Sequence, residues 1–212
     1  MTYMSRVKLD TALRETRSAL ASPQRMHAIV ASCFDGVMER QRPLWRIDTL
    51  NDSIYLMIVS SVHPDFTNIA SQITSQVDAE MLTKDYDRFL ASISEGDNLR
   101  FRLTANPVHS VTSESSGSTR SKVYGHVTVE HQKEWLKQRS EKNGFTLLSF
   151  DVVSRGERNF KRQQATITLT IATYEGLIRI SDADMLRRTL IYGIGRAKAY
   201  GCGLMTVARY EQ

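Results

Sequence analysis

Cysteine is scarce in this chain of 212 residues: Cys33 and Cys202 are the two present. Their separation matches neither a zinc site nor a disulfide framework, so a reduced, cytoplasmic protein is expected. Long apolar runs are missing as well. The longest, Ile54 to Val59, falls far short of the ~20 residues that span a bilayer. Arg6, Lys8, Asp10, Arg14, Glu15 and Arg17 crowd the start of the chain, which leaves no room for the apolar stretch of a secretory signal. No repeat of the kind that builds a solenoid is visible. The chain lacks HExxH, paired CxxC, GxSxG and a phosphate-binding GxxxxGKS/T motif. Zinc hydrolase, serine hydrolase and nucleoside-triphosphatase readings therefore lose their support, and neither a metal nor a cofactor is expected. The aromatic signature of an RNA-recognition motif is absent too, so base stacking is not the first expectation.

What is present is a basic, foldable composition. Hydrophobic residues make up 41% and charged residues 24%, too apolar a mix for a disordered tail. The 28 Lys and Arg outnumber the 23 Asp and Glu, giving a net charge of +5. Such a field attracts polyanions without proving that one binds. One segment, Ser110 to Lys122 (SVTSESSGSTRSK), has little to bury and reads as a mobile loop or a boundary between halves.

Periodicity on either side of that segment gives an α+β pattern. Val7 and Leu9 alternate with Arg6 and Lys8 as a strand. Ser22 caps a helix with Pro23 at its first position, and Met26, Ile29, Val30, Cys33, Phe34, Val37 and Met38 form its apolar face. Leu44–Asp48 and Ile54–Ser60 read as strands split by a turn at Asn51-Asp52-Ser53, and a helical stretch fits between Pro64 and Val77. Leu99, Phe101, Leu103 and Ala105 alternate with Arg100, Arg102 and Thr104, a strand that closes the first half. In the second half Lys122–Thr128 reads as extended, Glu130–Asn143 as a helix stopped by Gly144, and Phe145–Val153 and Ala165–Tyr174 as strands around a polar tip, Ser154–Gln164. Ser181 with Asp184 opens a helix through Tyr192, and the glycine-rich GIGRAKAYGCG, Gly193–Gly203, leads into a final strand, Leu204–Ala208. Two successive halves of strand–helix–strand–strand–helix–strand suggest two tandem ferredoxin-like domains, 1–108 and 109–212.

Five histidines are candidates for proton transfer, and His27 has the most informative position, near the start of a capped helix beside its apolar stripe. From position alone the plainer reading, a surface or packing residue, outweighs the catalytic one. His63 and His131 read as loop and solvated helix, while His109 and His126 bracket the polar segment without a recognisable constellation. Cations gather in three places: Arg100 and Arg102 on one strand face; Arg155, Arg158, Lys161 and Arg162 at the polar tip; Arg196 and Lys198 in the glycine-rich loop. Spaced cations on a projecting hairpin suit the phosphate rows of an RNA helix, whose deep major groove resists base reading. The glycine-rich loop serves either close phosphate approach or close packing of the two halves.

Several stretches resemble the CasE family of CRISPR-associated endoribonucleases: YMSRVKL, Ser-Pro-x-x-Met-His at 22–27, RFRLTANPV at 100–108, HQKEWLKQRSEKNGF, YEGLIRI at 174–180 and GIGRAKAYGCGLMTVA. They fall in order over nearly the whole chain. The resemblance implies two ferredoxin-like domains and metal-independent cleavage of precursor CRISPR RNA at the base of the repeat stem-loop. It also implies retention on the hairpin as a subunit of the type I-E Cascade complex. The ribose 2′-hydroxyl is then the nucleophile, which needs positioning and proton transfer rather than an activated water. His27 falls on the family's catalytic histidine, with its role as base or acid open. Relatives carry a tyrosine three residues earlier, where this chain has Gln24. A phenol passes a proton, whereas a carboxamide only hydrogen-bonds. Either Gln24 keeps an electrostatic role or another group, with Tyr3 and the Lys161–Arg162 pair as candidates, supplies the rest. The tip cations correspond as a group to a basic hairpin that the family presses into the RNA major groove. A repeat-hairpin binder without turnover, or a scaffold of the complex, remains an alternative.

Overall fold

A computed structural model describes residues 1–34, 42–74, 81–111, 122–162 and 165–210. Ten strands and six helices make a mixed α+β architecture of antiparallel sheets among these residues. Strand β1 (Tyr3–Leu9) buries Val7 and Leu9, as its alternation requires. Helix α1 (Arg14–Leu20), which periodicity did not reveal, precedes α2 (Pro23–Ser32). The Ser22 hydroxyl accepts from Arg25 N at 3.4 Å and Pro23 fills the first turn, so the expected cap is present. Val37 and Met38, assigned to the same helix from sequence, lie outside the described residues. Strands β2 (Leu44–Leu50) and β3 (Ser53–Ser60) meet at Asn51 and Asp52, whose positive φ values of 46° and 61° make the tight hairpin turn. The helix expected over 64–77 is only α3, Ala70–Ile73, and residues 75–77 lie outside the description. Strand β4 (Met81–Asp85) then pairs with β1.

The first sheet therefore has the order β2-β3-β1-β4. After α4 (Asp87–Ala91), strand β5 (Asn98–Ala105) pairs with β9 (Ala165–Ile180) and β10 (Met205–Arg209), not with the first sheet. The expectation that Leu99–Ala105 closes the first half is corrected: β4 closes it, and β5 opens the second. Alternation identifies a strand but not its partner, which is set by the faces that must be buried together. The second sheet, β10-β5-β9-β8, repeats the strand order of the first, with β8 spanning Phe145–Arg162. A separate hairpin of β6 (Val108–Val111) and β7 (Lys122–Gly125) brackets the Ser/Thr-rich segment, most of which (112–121) lies outside the described residues.

Helix α5 (Val129–Ser140) continues into a 3-10 turn, Glu141–Asn143, and ends at Gly144 with φ +81°. Helix α6 (Ala183–Tyr192) is capped by Asp182, whose carboxylate accepts from Met185 N at 2.8 Å, and not by Ser181. The polar tip is also corrected. Ser154–Arg162 continues β8 in unbroken register with Thr173–Ala165, and β9 runs on to Ile180. Cross-strand hydrogen bonds hold a two-stranded arm whose side chains are mostly solvated, which is why its composition reads as loop.

Two cores result. One joins Val7, Met26, Val30, Leu56 and Ile58; the other joins Leu103, Leu136, Phe145, Tyr174, Leu186 and Leu190, and takes in Leu44 and Val59 from the first sheet. Arg46, only 2% exposed, ties the units together. Its guanidinium holds Asp48 at 2.6 and 2.7 Å and donates to the carbonyls of Arg102 (2.8 Å) and Leu204 (3.0 Å). Five donors in a rigid fork make arginine suited to so many acceptors at once.

The glycine-rich loop packs closely against the first sheet. A Cβ built on Gly201 would lie 2.7 Å from the Trp45 ring, at φ +80°. Gly201→Ala is therefore expected to lower stability by about 2–4 kcal/mol, from the left-handed backbone and overpacking together. Gly156→Ala, whose Cβ meets nothing within 4 Å, is expected to stay within about 0.5 kcal/mol. Urea midpoints of the two variants check this pair. No helix among the described residues is long and apolar enough to cross a membrane.

Candidate RNA-cleavage site

His27 stands in the second turn of α2, next to buried Met26 and itself half-buried. Gln24 is exposed one turn earlier, on the same helical side as His27. The His27 ring meets Tyr200 edge-on, with centroids 6.1 Å apart. Tyr200 belongs to the 3-10 turn Lys198–Tyr200 of the glycine-rich loop. On its other side Tyr200 packs against Phe160 of β8, at 4.6 Å. Three segments far apart in sequence thus converge on one imidazole: α2, the glycine-rich loop and the arm of the second sheet. Phe160 is the buried anchor of that arm.

Beside this junction a cleft of about 370 Å³ separates the units, lined by Pro23 and Met26, Arg46, Arg102, Arg155, Arg158 and Tyr200. Its arginines differ in availability. Arg46 is occupied by Asp48. Arg102 lies 3.0 Å from Asp48 Oδ1 and also pairs with Glu175. Arg155 Nη1 donates to the Val127 carbonyl at 3.2 Å, a neutral partner that leaves its charge uncompensated. Arg158 is exposed and, two residues from Phe160, shares its strand face. Arg155 and Arg158 therefore offer positive charge at the cleft.

The other sequence candidates lie elsewhere or are engaged. Arg100 stands over the Tyr210 ring at 5.2 Å. Lys161 is exposed and alternates with Phe160 across the strand; the Arg162 side chain lies outside the description. Lys198 Nζ donates to the Tyr192 carbonyl at 2.6 Å, and burial holds its pKa below the usual lysine value. That contact makes it a brace of the loop. Arg196 is exposed and bridges to Asn106, by a pocket apart from His27. Tyr3 gives its hydroxyl to Met1 Sδ and packs edge-on against His63 at 5.2 Å.

Tyr200 was missed from sequence. A phenol inside a glycine-rich loop was a usable signal, but only the tertiary fold brings it to His27. Among the described residues no group of three or more His, Cys, Asp and Glu is gathered as metal ligands.

A family model described as CRISPR associated protein matches residues 2–209. The chain belongs to that family. The CRISPR-associated endoribonuclease Cse3 of Thermus thermophilus is 24% identical over 97% of this chain and 99% of its own length. The CRISPR system Cascade subunit CasE of Escherichia coli is 26% identical over 74% of this chain and 75% of its own. A solved structure of Cse3 bound to 19 nt RNA matches with a TM-score of 0.79 at 26% identity, covering 98% of both chains. These similarities agree with the CasE resemblance of the sequence motifs.

Proposed function

We propose that this CRISPR-associated chain is a metal-independent endoribonuclease that cuts precursor CRISPR RNA at the base of its repeat stem-loop and stays on the product as a Cascade subunit. The convergence of His27, Tyr200 and the Phe160-anchored arm beside a cationic cleft carries this reading. The repeated strand order supports describing each unit as ferredoxin-like, and the endoribonuclease and Cascade names of the relatives support the substrate and partners.

In the proposed reaction the 2′-hydroxyl oxygen bonds to phosphorus while the bond from phosphorus to the 5′-oxygen breaks. The products are a 2′,3′-cyclic phosphate and a 5′-hydroxyl. A neutral His27 accepts the 2′-hydroxyl proton, or its imidazolium supplies a proton to the departing oxygen. Gln24 donates its amide N–H to a phosphate oxygen, and Arg158 and Arg155 offset the charge that builds there. Tyr200, whose ring meets His27, is the phenol this reading offers in place of the family's helical tyrosine.

A hairpin binder without turnover is the second reading, favoured by Gln24 in place of that tyrosine. The test compares the host repeat hairpin, its form with a 2′-deoxy ribose at the cut, and an unrelated stem of equal length at matched salt. Cleavage of the first alone, with tight binding of the first two, is expected. Tight binding without products would favour the second reading, and equal affinity for all three would leave only a scaffold.

A further inference from the structure

A second cluster of titratable groups shares no lining residue with the cleft beside His27. The rings of Tyr124, His109, His126 and His131 form a row, with successive centroid separations of 6.0, 4.6 and 5.7 Å. The row draws on the β6–β7 hairpin, the residue following it and the first turn of α5. It borders a pocket of about 210 Å³ whose walls include Asn106, His109, His126, Trp135, Arg139 and Arg196. No carboxylate lines this pocket among the described residues. The acids of α5 are Glu130, in its first turn, and Glu134, which accepts from the wall residue Gln138 at 3.2 Å; neither carboxylate lines the pocket itself.

Two walls carry buried polar atoms without a hydrogen-bond partner: Trp135 Nε1 (side chain 3% exposed) and Asn106 Oδ1 (7% exposed). An unmet buried donor and acceptor are costly and uncommon. Arg139 stacks on the Trp135 ring at 4.3 Å and donates to the Trp135 carbonyl, so its charge faces the same place without an acid beside it. A backbone β-bridge pairs Arg196 with Asn106, and both line the pocket.

We propose that this pocket binds a nucleotide phosphate, with Arg139 and Arg196 as its cationic wall and the His109–His126 pair beside them. Trp135 Nε1 donates to a phosphate oxygen, and Asn106 Oδ1 accepts from a hydroxyl or amino group of the same nucleotide. The three imidazoles do not form a metal-ligand set. The phosphate comes either from RNA, which rests on the function proposed above, or from a free nucleotide, which does not.

The sign of the pH dependence follows from the neighbours. Burial first, then His109, His131 and Arg139, hold the His126 pKa below its ordinary 6.5. An anion favours the imidazolium, so the contribution of His126 to affinity rises as pH falls. The experiment titrates inorganic phosphate, then adenosine 5′-monophosphate, into the full chain at pH 6.0 and 8.0, following histidine ring resonances by NMR. Saturable shifts of His109 and His126 are expected, and the ratio of affinity at pH 6.0 to that at pH 8.0 is expected to be at least twofold higher for wild type than for His126→Gln, a comparison that cancels the titration of the phosphate itself. Arg196→Ala is expected to weaken binding at least fivefold and Arg196→Lys to restore part of it. His126→Gln is expected to remove the histidine contribution to the pH dependence. Displacement of phosphate from this pocket by repeat RNA assigns the source to RNA, and its retention assigns it to a free nucleotide. Absence of saturable His126 shifts at pH 6.0, or identical titrations of wild type and Arg196→Ala, would overturn the proposal whether or not the enzyme cuts RNA.

Discussion

Replacing His27 with alanine is expected to slow single-turnover cleavage of the repeat hairpin by about 10²- to 10⁴-fold, with hairpin affinity within about twofold of wild type. The separation of the two effects follows from where His27 sits. The buried side of α2 is Met26 and Val30, so the helix keeps its packing when the half-buried imidazole is removed. Alanine is also the better helix former. The cations offered to RNA, Arg155 and Arg158, project from another element and keep their positions. A 2′-deoxy substrate, which binds without being cut, measures the affinity; a time course on the all-ribose hairpin measures the rate. An equal loss of binding and cleavage would make His27 a packing residue.

Tyr200→Phe carries the second large effect, a slowing of about 10- to 100-fold at unchanged hairpin affinity. The substitution keeps the ring that spaces His27 from Phe160 and removes only the hydroxyl. A hydrogen bond to a charged group is worth about 1.5–3 kcal/mol, which converts to that range. Tyr200→Ala differs in kind. It removes the ring on which Phe160 rests, so the arm loses its anchor and hairpin affinity falls with the rate. Wild-type cleavage by Tyr200→Phe would assign the phenol to packing alone. Lys161 would then be the next group to test.

Much of this arrangement is legible in the sequence, for identifiable reasons. Ser22-Pro23 marks a helix start by local chemistry, so the position of His27 on its first turns needs no tertiary information. Gly144 stops its helix for an equally local reason. What stays hidden depends on partners. Helix α1 is seven residues with two buried side chains, Thr16 and Ala19, too few for a periodic signal. Strand β4 is five residues with no fully buried side chain, and without it the basic strand at Asn98–Ala105 falls naturally to the wrong sheet. The β8 side of the arm, residues 153–159, is exposed throughout, and polar composition then outweighs alternation.

The site divides in the same way. Arg100 and Arg102 do share a strand, but no local pattern shows that Asp48 of the first sheet and Glu175 of the neighbouring strand β9 occupy Arg102. Lys198 reads as a loop cation until its contact with the Tyr192 carbonyl is seen. Gly201 shows the converse. Both of its sequence readings were open, and the Trp45 ring against its absent Cβ favours close packing of the two units. Tyr200 gains its place beside His27 from that same packing.

The most direct measurement is a single-turnover assay of the wild-type chain on its host repeat hairpin in excess EDTA, with product ends identified by mass. Cleavage at one position, leaving a 5′-hydroxyl and a 2′,3′-cyclic phosphate, is the expected result, with no cut when the ribose at that position is 2′-deoxy. Cleavage that requires Mg²⁺, or that proceeds on the 2′-deoxy substrate, would contradict a reaction run by His27 and an internal nucleophile.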